Sequence, residues 1–134
     1  MKTHALFVII LIVFSSLTAC NNDTEKPTKK RENLVEINNG VYTEYYPGRK
    51  SIKFRGPVNE AKERNGRWFF YDESGREQSM TEYKNGKKDG FIFVRYPNGN
   101  MRYTGEFRED KEAGIWKFYD QSGNITEEKN YDNL

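Results

Sequence analysis

The sequence predicts an all-β protein, an elongated antiparallel meander of β-hairpin repeats about 24 residues long. Three observations point there. Gly66, Gly90 and Gly114 are spaced by 24 both times, and four further columns keep the same step: Gly75/Gly99/Gly123, Trp68/Ile92/Trp116, Phe70/Val94/Phe118 and Tyr83/Phe107/Tyr131. Short aromatic runs alternate with turn chemistry in which glycine supplies positive φ. No stretch shows helical periodicity with caps.

The chain opens with a different pattern. Lys2 is charged, Ala5–Phe14 is an unbroken apolar run of ten residues, and Leu17-Thr18-Ala19-Cys20 follows. A charged start, a short apolar core and small residues before a cut site make a secretory signal. The tetrapeptide resembles the lipobox of bacterial lipoproteins, which implies cleavage between Ala19 and Cys20 and a diacylglyceryl group on the cysteine. An uncleaved membrane anchor would need about 20 apolar residues, more than this run offers. Residues 1–19 are therefore expected to be a lipoprotein signal peptide. Stable attachment would follow from two or three acyl chains, since one alone is marginal. The expected location is the cell envelope, with the outer membrane, its periplasmic side and the cell surface all left open.

Residues 20–39 read as the lipidated Cys20 followed by a flexible tether. From Asn21 to Glu32 only Pro27 is apolar, and such a segment cannot bury enough surface to order itself. Lys29-Lys30-Arg31 is a short basic cluster of the kind that touches anionic headgroups, but Glu32 and Glu36 follow it and solvation accounts for it as well.

The repeat domain is expected over 40–134, with units at about 40–65, 66–89, 90–113 and 114–134. The first unit is a degenerate copy starting at Gly40-Val41-Tyr42-Thr43-Glu44-Tyr45-Tyr46-Pro47-Gly48, and it carries an insertion within Gly56–Arg64. In the second, Arg67–Asp72 is a strand, Glu73-Ser74-Gly75 a turn, Arg76–Lys84 a second strand, and Asn85-Gly86-Lys87-Lys88-Asp89-Gly90 leads onward. Pro97-Asn98-Gly99 and Gln121-Ser122-Gly123 repeat the turn.

Alternation sorts the faces. Trp68 and Phe70, Ile92 and Val94, and Trp116 and Phe118 form the expected packed face, joined by Tyr83, Phe107 and Tyr131, with Met101 and Ile125 nearby. The other face carries Phe69 and Tyr71, then Phe91, Phe93 and Arg95, then Ile115, Lys117 and Tyr119. It repeats in type without repeating in identity, as a recognition surface does. A sheet packed on both sides would look the same. The candidate binding residues are Phe69, Tyr71, Phe91, Phe93, Lys117 and Tyr119.

Composition narrows the chemistry. Charged residues make up 31% but nearly cancel at +2, which is no polyanion binder's balance, so nucleic acid is not an expected partner. Cys20 is the only cysteine and His4 the only histidine. The mature body thus has no disulfide, no Cys/His metal site and no histidine base. No cofactor or metal is expected. Carboxylate-only catalysis remains open in principle, with Asp72, Glu73, Glu82, Asp89, Glu106, Glu109 and Asp110 present, but they fall on turns and outer strand positions. The protein is not expected to be an enzyme.

Gly66-Arg67-Trp68-Phe69-Phe70-Tyr71-Asp72-Glu73-Ser74-Gly75, Tyr83-Lys84-Asn85-Gly86-Lys87-Lys88-Asp89-Gly90 and Gly114-Ile115-Trp116-Lys117-Phe118-Tyr119-Asp120-Gln121-Ser122-Gly123 resemble MORN repeats, and more closely the variant repeats of the YwqK-like family. Tyr103-Thr104-Gly105-Glu106-Phe107 is similar to the core of ordinary MORN units. Two segments depart from the pattern: Arg95-Tyr96-Pro97 replaces Tyr-Asp, and Arg108–Ala113 lacks the Asn-Gly-Lys of Asn85–Lys87. The resemblance implies an elongated β-meander used for interaction or scaffolding. Proteins of the YwqK-like kind are often described as antitoxins, which would imply binding a cognate toxin. The sequence-level expectation is a lipoprotein held on a membrane through Cys20 that binds a protein partner. The alternative is an antitoxin or immunity-like protein.

Overall fold

The computed structural model describes residues 32–133. The expected signal peptide, Cys20, and the Lys29-Lys30-Arg31 cluster lie outside the described residues. Within them, nine strands form one antiparallel sheet in chain order. They are β1 (Val35–Asn38), β2 (Val41–Tyr45), β3 (Ile52–Pro57), β4 (Gly66–Tyr71), β5 (Glu77–Lys84), β6 (Lys87–Arg95), β7 (Met101–Arg108), β8 (Lys111–Tyr119) and β9 (Ile125–Asn130); a 3₁₀ turn, Tyr131–Asn133, follows. The all-β hairpin meander expected from the sequence is the architecture found.

The sheet starts earlier than expected. Val35–Asn38, placed in the tether by the sequence reading, pairs with β2 from Val35↔Glu44 to Asn38↔Val41. The reason is the role of Gly40. It does not open the first unit but completes a two-residue turn with Asn39, at φ 74° and 50°, the combination that matches the twist of a tight hairpin. Asn85-Gly86 makes the same turn at φ 47° and 82°. Glu109-Asp110 makes it too, at φ 49° and 67°, although neither residue is glycine. The missing Asn-Gly-Lys pattern therefore leaves the turn intact and puts two side-chain-bearing residues in the left-handed region.

At the opposite end, each hairpin closes over a glycine-containing loop and then slips by one residue. The pairs Glu44↔Phe54 and Tyr45↔Ile52 leave Lys53 over; Gln78, Arg102 and Thr126 are left over in the same way in the next three hairpins. These bulges correct one expectation. Met101 and Ile125 do not join the packed face, because the extra residue shifts them across to pair with Arg95 and Tyr119.

The packed face is otherwise as expected: Trp68, Ile92 and Trp116 are buried. Tyr83, Phe107 and Tyr131 meet the two indoles edge-on. Each indole lies against a glycine of the preceding strand, Trp68 on Gly56 and Trp116 on Gly105, where a β-carbon would collide with the ring. Each also donates its Nε1 proton to the next carbonyl, Trp68 to Pro57 at 2.8 Å and Trp116 to Glu106 at 3.1 Å.

The true period of the fold is two units, not one. Tyr46 Oη donates to the Tyr71 carbonyl, and Tyr96 Oη donates to the Tyr119 carbonyl, both at 2.9 Å. The intervening turns begin with Asp72 and Asp120, whose carboxylates accept the backbone N–H groups of Ser74 and Arg76, and of Ser122 and Asn124. Tyr-Pro hairpins thus alternate with Asp-x-Ser-Gly hairpins, and each alternate pair is clasped by one tyrosine hydroxyl.

Candidate functional site

The register places the six candidate residues on one face. A continuous row crosses the sheet through Thr43↔Arg55, Arg55↔Phe69, Phe69↔Met80, Met80↔Phe93, Phe93↔Thr104, Thr104↔Lys117 and Lys117↔Glu128. Phe69, Phe93 and Lys117 belong to this row. Tyr71 and Tyr119 lie one row toward the glycine loops, opposite Glu77 and Ile125. Phe91 lies one row toward the tight turns, opposite Glu106.

Exposure divides the six. Phe69 and Phe93 flank Met80, which is only 7% exposed, so the two phenyl rings shelter a small second core on this face. Met80 is the residue that alternation alone did not single out. Phe91 is 41% exposed, and Ile115, present on this face in the sequence reading but not among the candidates, is 56% exposed. With Thr104, Gly105, Glu106 and Lys117 these two line a shallow depression of about 270 Å³. Contiguous exposed apolar side chains rimmed by polar ones mark contact surfaces.

The apolar patch has a fixed charged rim. Glu82 accepts the Phe91 N–H at 2.9 Å and Arg67 Nε at 3.0 Å. The Phe91 amide, then Arg67, hold the Glu82 carboxyl below the usual range. This bond locks the backbone where Gly90 bulges at φ 116°, which is what turns Phe91 outward. Lys117 pairs with Glu128 at 3.2 Å. On the other flank Arg95 stacks 4.9 Å from the Phe93 ring and reaches Glu77 at 3.7 Å. Burial, helped by Glu77, raises the Tyr71 phenol.

A larger depression, about 530 Å³, lies between Lys50-Ser51-Ile52 and Tyr71, Glu73, Ser74 and Gly75. In the equivalent gap one two-unit period later, Asn98 and Asn100 both donate to the Gln121 carbonyl at 2.8 Å. The first Tyr-Pro loop has no matching asparagines.

Four of the candidate carboxylates, Asp72, Glu82, Glu109 and Asp110, have structural partners. Asp72 holds its turn, Asp110 accepts the Lys88 N–H at 2.8 Å, and Glu109 pairs with Lys87 at 3.5 Å. Among the described residues no three His, Cys, Asp or Glu side chains converge on a metal-ligand set, and no helix is long and apolar enough to cross a membrane.

The last hairpin carries a family match. Residues 113–133, spanning most of β8, all of β9 and the 3₁₀ turn, match the MORN repeat variant family. The chain carries a MORN repeat variant. The matched segment corresponds to the fourth unit of the 24-residue series, with Trp116 and Phe118 on its packed face. Among curated proteins, none matches this chain.

Proposed function

We propose that this MORN-variant protein is a membrane-anchored lipoprotein that acts as a protein-binding module of the cell envelope. The observation that carries the binding half is the pair of exposed side chains Phe91 and Ile115, which line one depression together with Lys117, beside Phe93. The sheet's buried side chains lie on the Trp68, Ile92 and Trp116 face and at Met80, so the fold has no need of these two side chains at the surface. Apolar groups held there by a locked bulge are suited to close against a complementary surface.

The anchoring half is supported by Leu17-Thr18-Ala19-Cys20 after the apolar run Ala5–Phe14. The test is metabolic labelling with a palmitate analogue together with membrane fractionation. Wild type should incorporate the label and sediment with membranes, and Cys20→Ala should not take up the label. Labelling that survives Cys20→Ala would overturn the anchor. The binding half is tested by crosslinking capture from native membranes with wild type and with Phe91→Ser/Ile115→Ser. A partner recovered by wild type and lost by the variant is expected. If that partner is a toxin, the module is immunity-like; if it is an envelope structural protein, the module is a scaffold.

A further inference from the structure

The two edges of the sheet are built differently. Along β9 the positions that carry Ser79, Met80 and Thr81 in β5 are occupied by Glu127, Glu128 and Lys129, all exposed. Charge on a terminal strand discourages further pairing. Among the described residues the β1 edge carries no such run of charge; Glu36 is its one charged residue. Its Val35 and Ile37 are 37% and 43% exposed and lie on the same face as Trp68 and Trp116.

The backbone of β1 is set up for a partner. The two-residue turn at Asn39-Gly40 and the Tyr45 N–H bond to the Leu34 carbonyl fix the hydrogen-bonding alternation. Leu34, Glu36 and Asn38 direct their amide groups to β2, whereas Val35 and Ile37 direct theirs outward. The outward Val35 N–H is covered by the side chain of Asn33, at 3.2 Å, on an exposed strand end.

We propose that the free edge of β1 pairs with the same edge of a second copy of this chain, antiparallel about a two-fold axis at Glu36. In this register Val35 stands beside the partner copy's Ile37 and Ile37 beside its Val35, which joins the two apolar ladders on one face. The Ile37 N–H and Val35 carbonyl bond across the axis, and the Val35 N–H exchanges Asn33 for the Ile37 carbonyl opposite. The two Glu36 side chains meet on the other face, and each carries its own neutralising partners: Arg49 at 2.8 Å and the Tyr45 hydroxyl at 2.7 Å. A two-fold arrangement also keeps the faces continuous, since the axis runs perpendicular to the sheet. The occupant is a second copy because the segment preceding β1 is the expected tether. Eleven residues separate Cys20 from Glu32, a reach of about 40 Å, so two anchored copies bring these edges into one shallow layer at high effective concentration. The choice of a second copy rests on the proposed anchor, whereas the geometry of the edge does not.

The test places one cysteine at the axis of the full chain in membranes of producing cells. Glu36→Cys faces its own copy in a close, non-hydrogen-bonded pair and should give a disulfide-linked dimer on mild oxidation. Glu128→Cys, on the charged edge, should not. Adding Ile37→Pro to Glu36→Cys should abolish the crosslink, because it deletes only an outward N–H; an unchanged circular dichroism spectrum shows that the sheet persists. A monomeric Glu36→Cys, or equal crosslinking by Glu128→Cys, overturns the proposal. Wild type serves as the control for the anchor: a crosslink through Cys20 itself reports a free thiol, which defeats the lipid reading and not the edge, and the series is then read in a Cys20→Ala background.

Discussion

The indole of Trp116 lies on the backbone of Gly105, and its Nε1 proton is donated to the neighbouring Glu106 carbonyl. Trp68 repeats the arrangement on Gly56 and Pro57. The glycine is there because the ring occupies the space of its side chain. Gly105→Ala and Gly56→Ala should each destabilise the fold by about 1–3 kcal/mol, the range for overpacked cores. Trp116→Phe keeps most of the ring but loses the hydrogen bond, at about 1 kcal/mol plus the lost contact area. Urea unfolding checks all three, and a glycine variant as stable as wild type would show that the ring has room to move.

The Asp72 turn gives the sheet an acid-sensitive joint. The Ser74 hydroxyl, then the Arg76 amide and guanidinium, hold the Asp72 carboxyl at about 2, and the Asn124 side chain lowers Asp120 in the same direction. A depressed carboxylate contributes stability that is fully present above its unfolded value, near 4, and is lost as pH falls through the folded value. Stability should therefore decline between about pH 4 and pH 2. Asp72→Asn should flatten part of that decline, as read by thermal unfolding across the pH series.

The Glu109-Asp110 turn holds two residues in the left-handed region without a glycine. Glu109→Asn places a residue tolerant of that conformation there, at the loss of one exposed ion pair to Lys87. The variant should gain about 0.5 kcal/mol, a rise of roughly 2–4 °C in melting temperature for a domain of this size. An unchanged or lower melting temperature would show that the Lys87 pair outweighs the backbone.

The apolar residues Phe69, Phe91, Phe93 and Ile115 of the less regular face should separate into two classes. Phe69→Ser and Phe93→Ser uncover Met80 and should destabilise the sheet by about 1–2 kcal/mol each. Phe91→Ser and Ile115→Ser should leave unfolding within about 0.5 kcal/mol of wild type. Denaturation midpoints measured on the four single variants decide this. Equal losses at all four positions would make the whole face a core.

Much of this was legible in the sequence, for physical reasons that differ by residue. Trp68, Ile92 and Trp116 announced the packed face because alternation in a strand is strict over short stretches. Met101 and Ile125 did not follow, because the single bulged residue after each, Arg102 and Thr126, reverses the face and leaves no mark on composition. Asn39-Gly40 is a strong turn signal, yet its use here hid β1, since Gly40 also fits the start of the repeat. Met80 was missed because one methionine among threonine, serine and glutamate gives no periodic signal; only the register places it between Phe69 and Phe93. The two-unit period was visible in the alternation of Tyr-Pro with Asp-x-Ser-Gly, but its cause, a tyrosine hydroxyl clasping the next hairpin, exists only in three dimensions.

The most direct test of the binding surface is site-specific photocrosslinking in living cells. A photoreactive phenylalanine analogue is placed at Phe91, and in a second variant at Glu127, which lies on the opposite face. A discrete protein adduct is expected from position 91 and none from position 127. An adduct of the same mobility from both positions, or from position 127 alone, would contradict it.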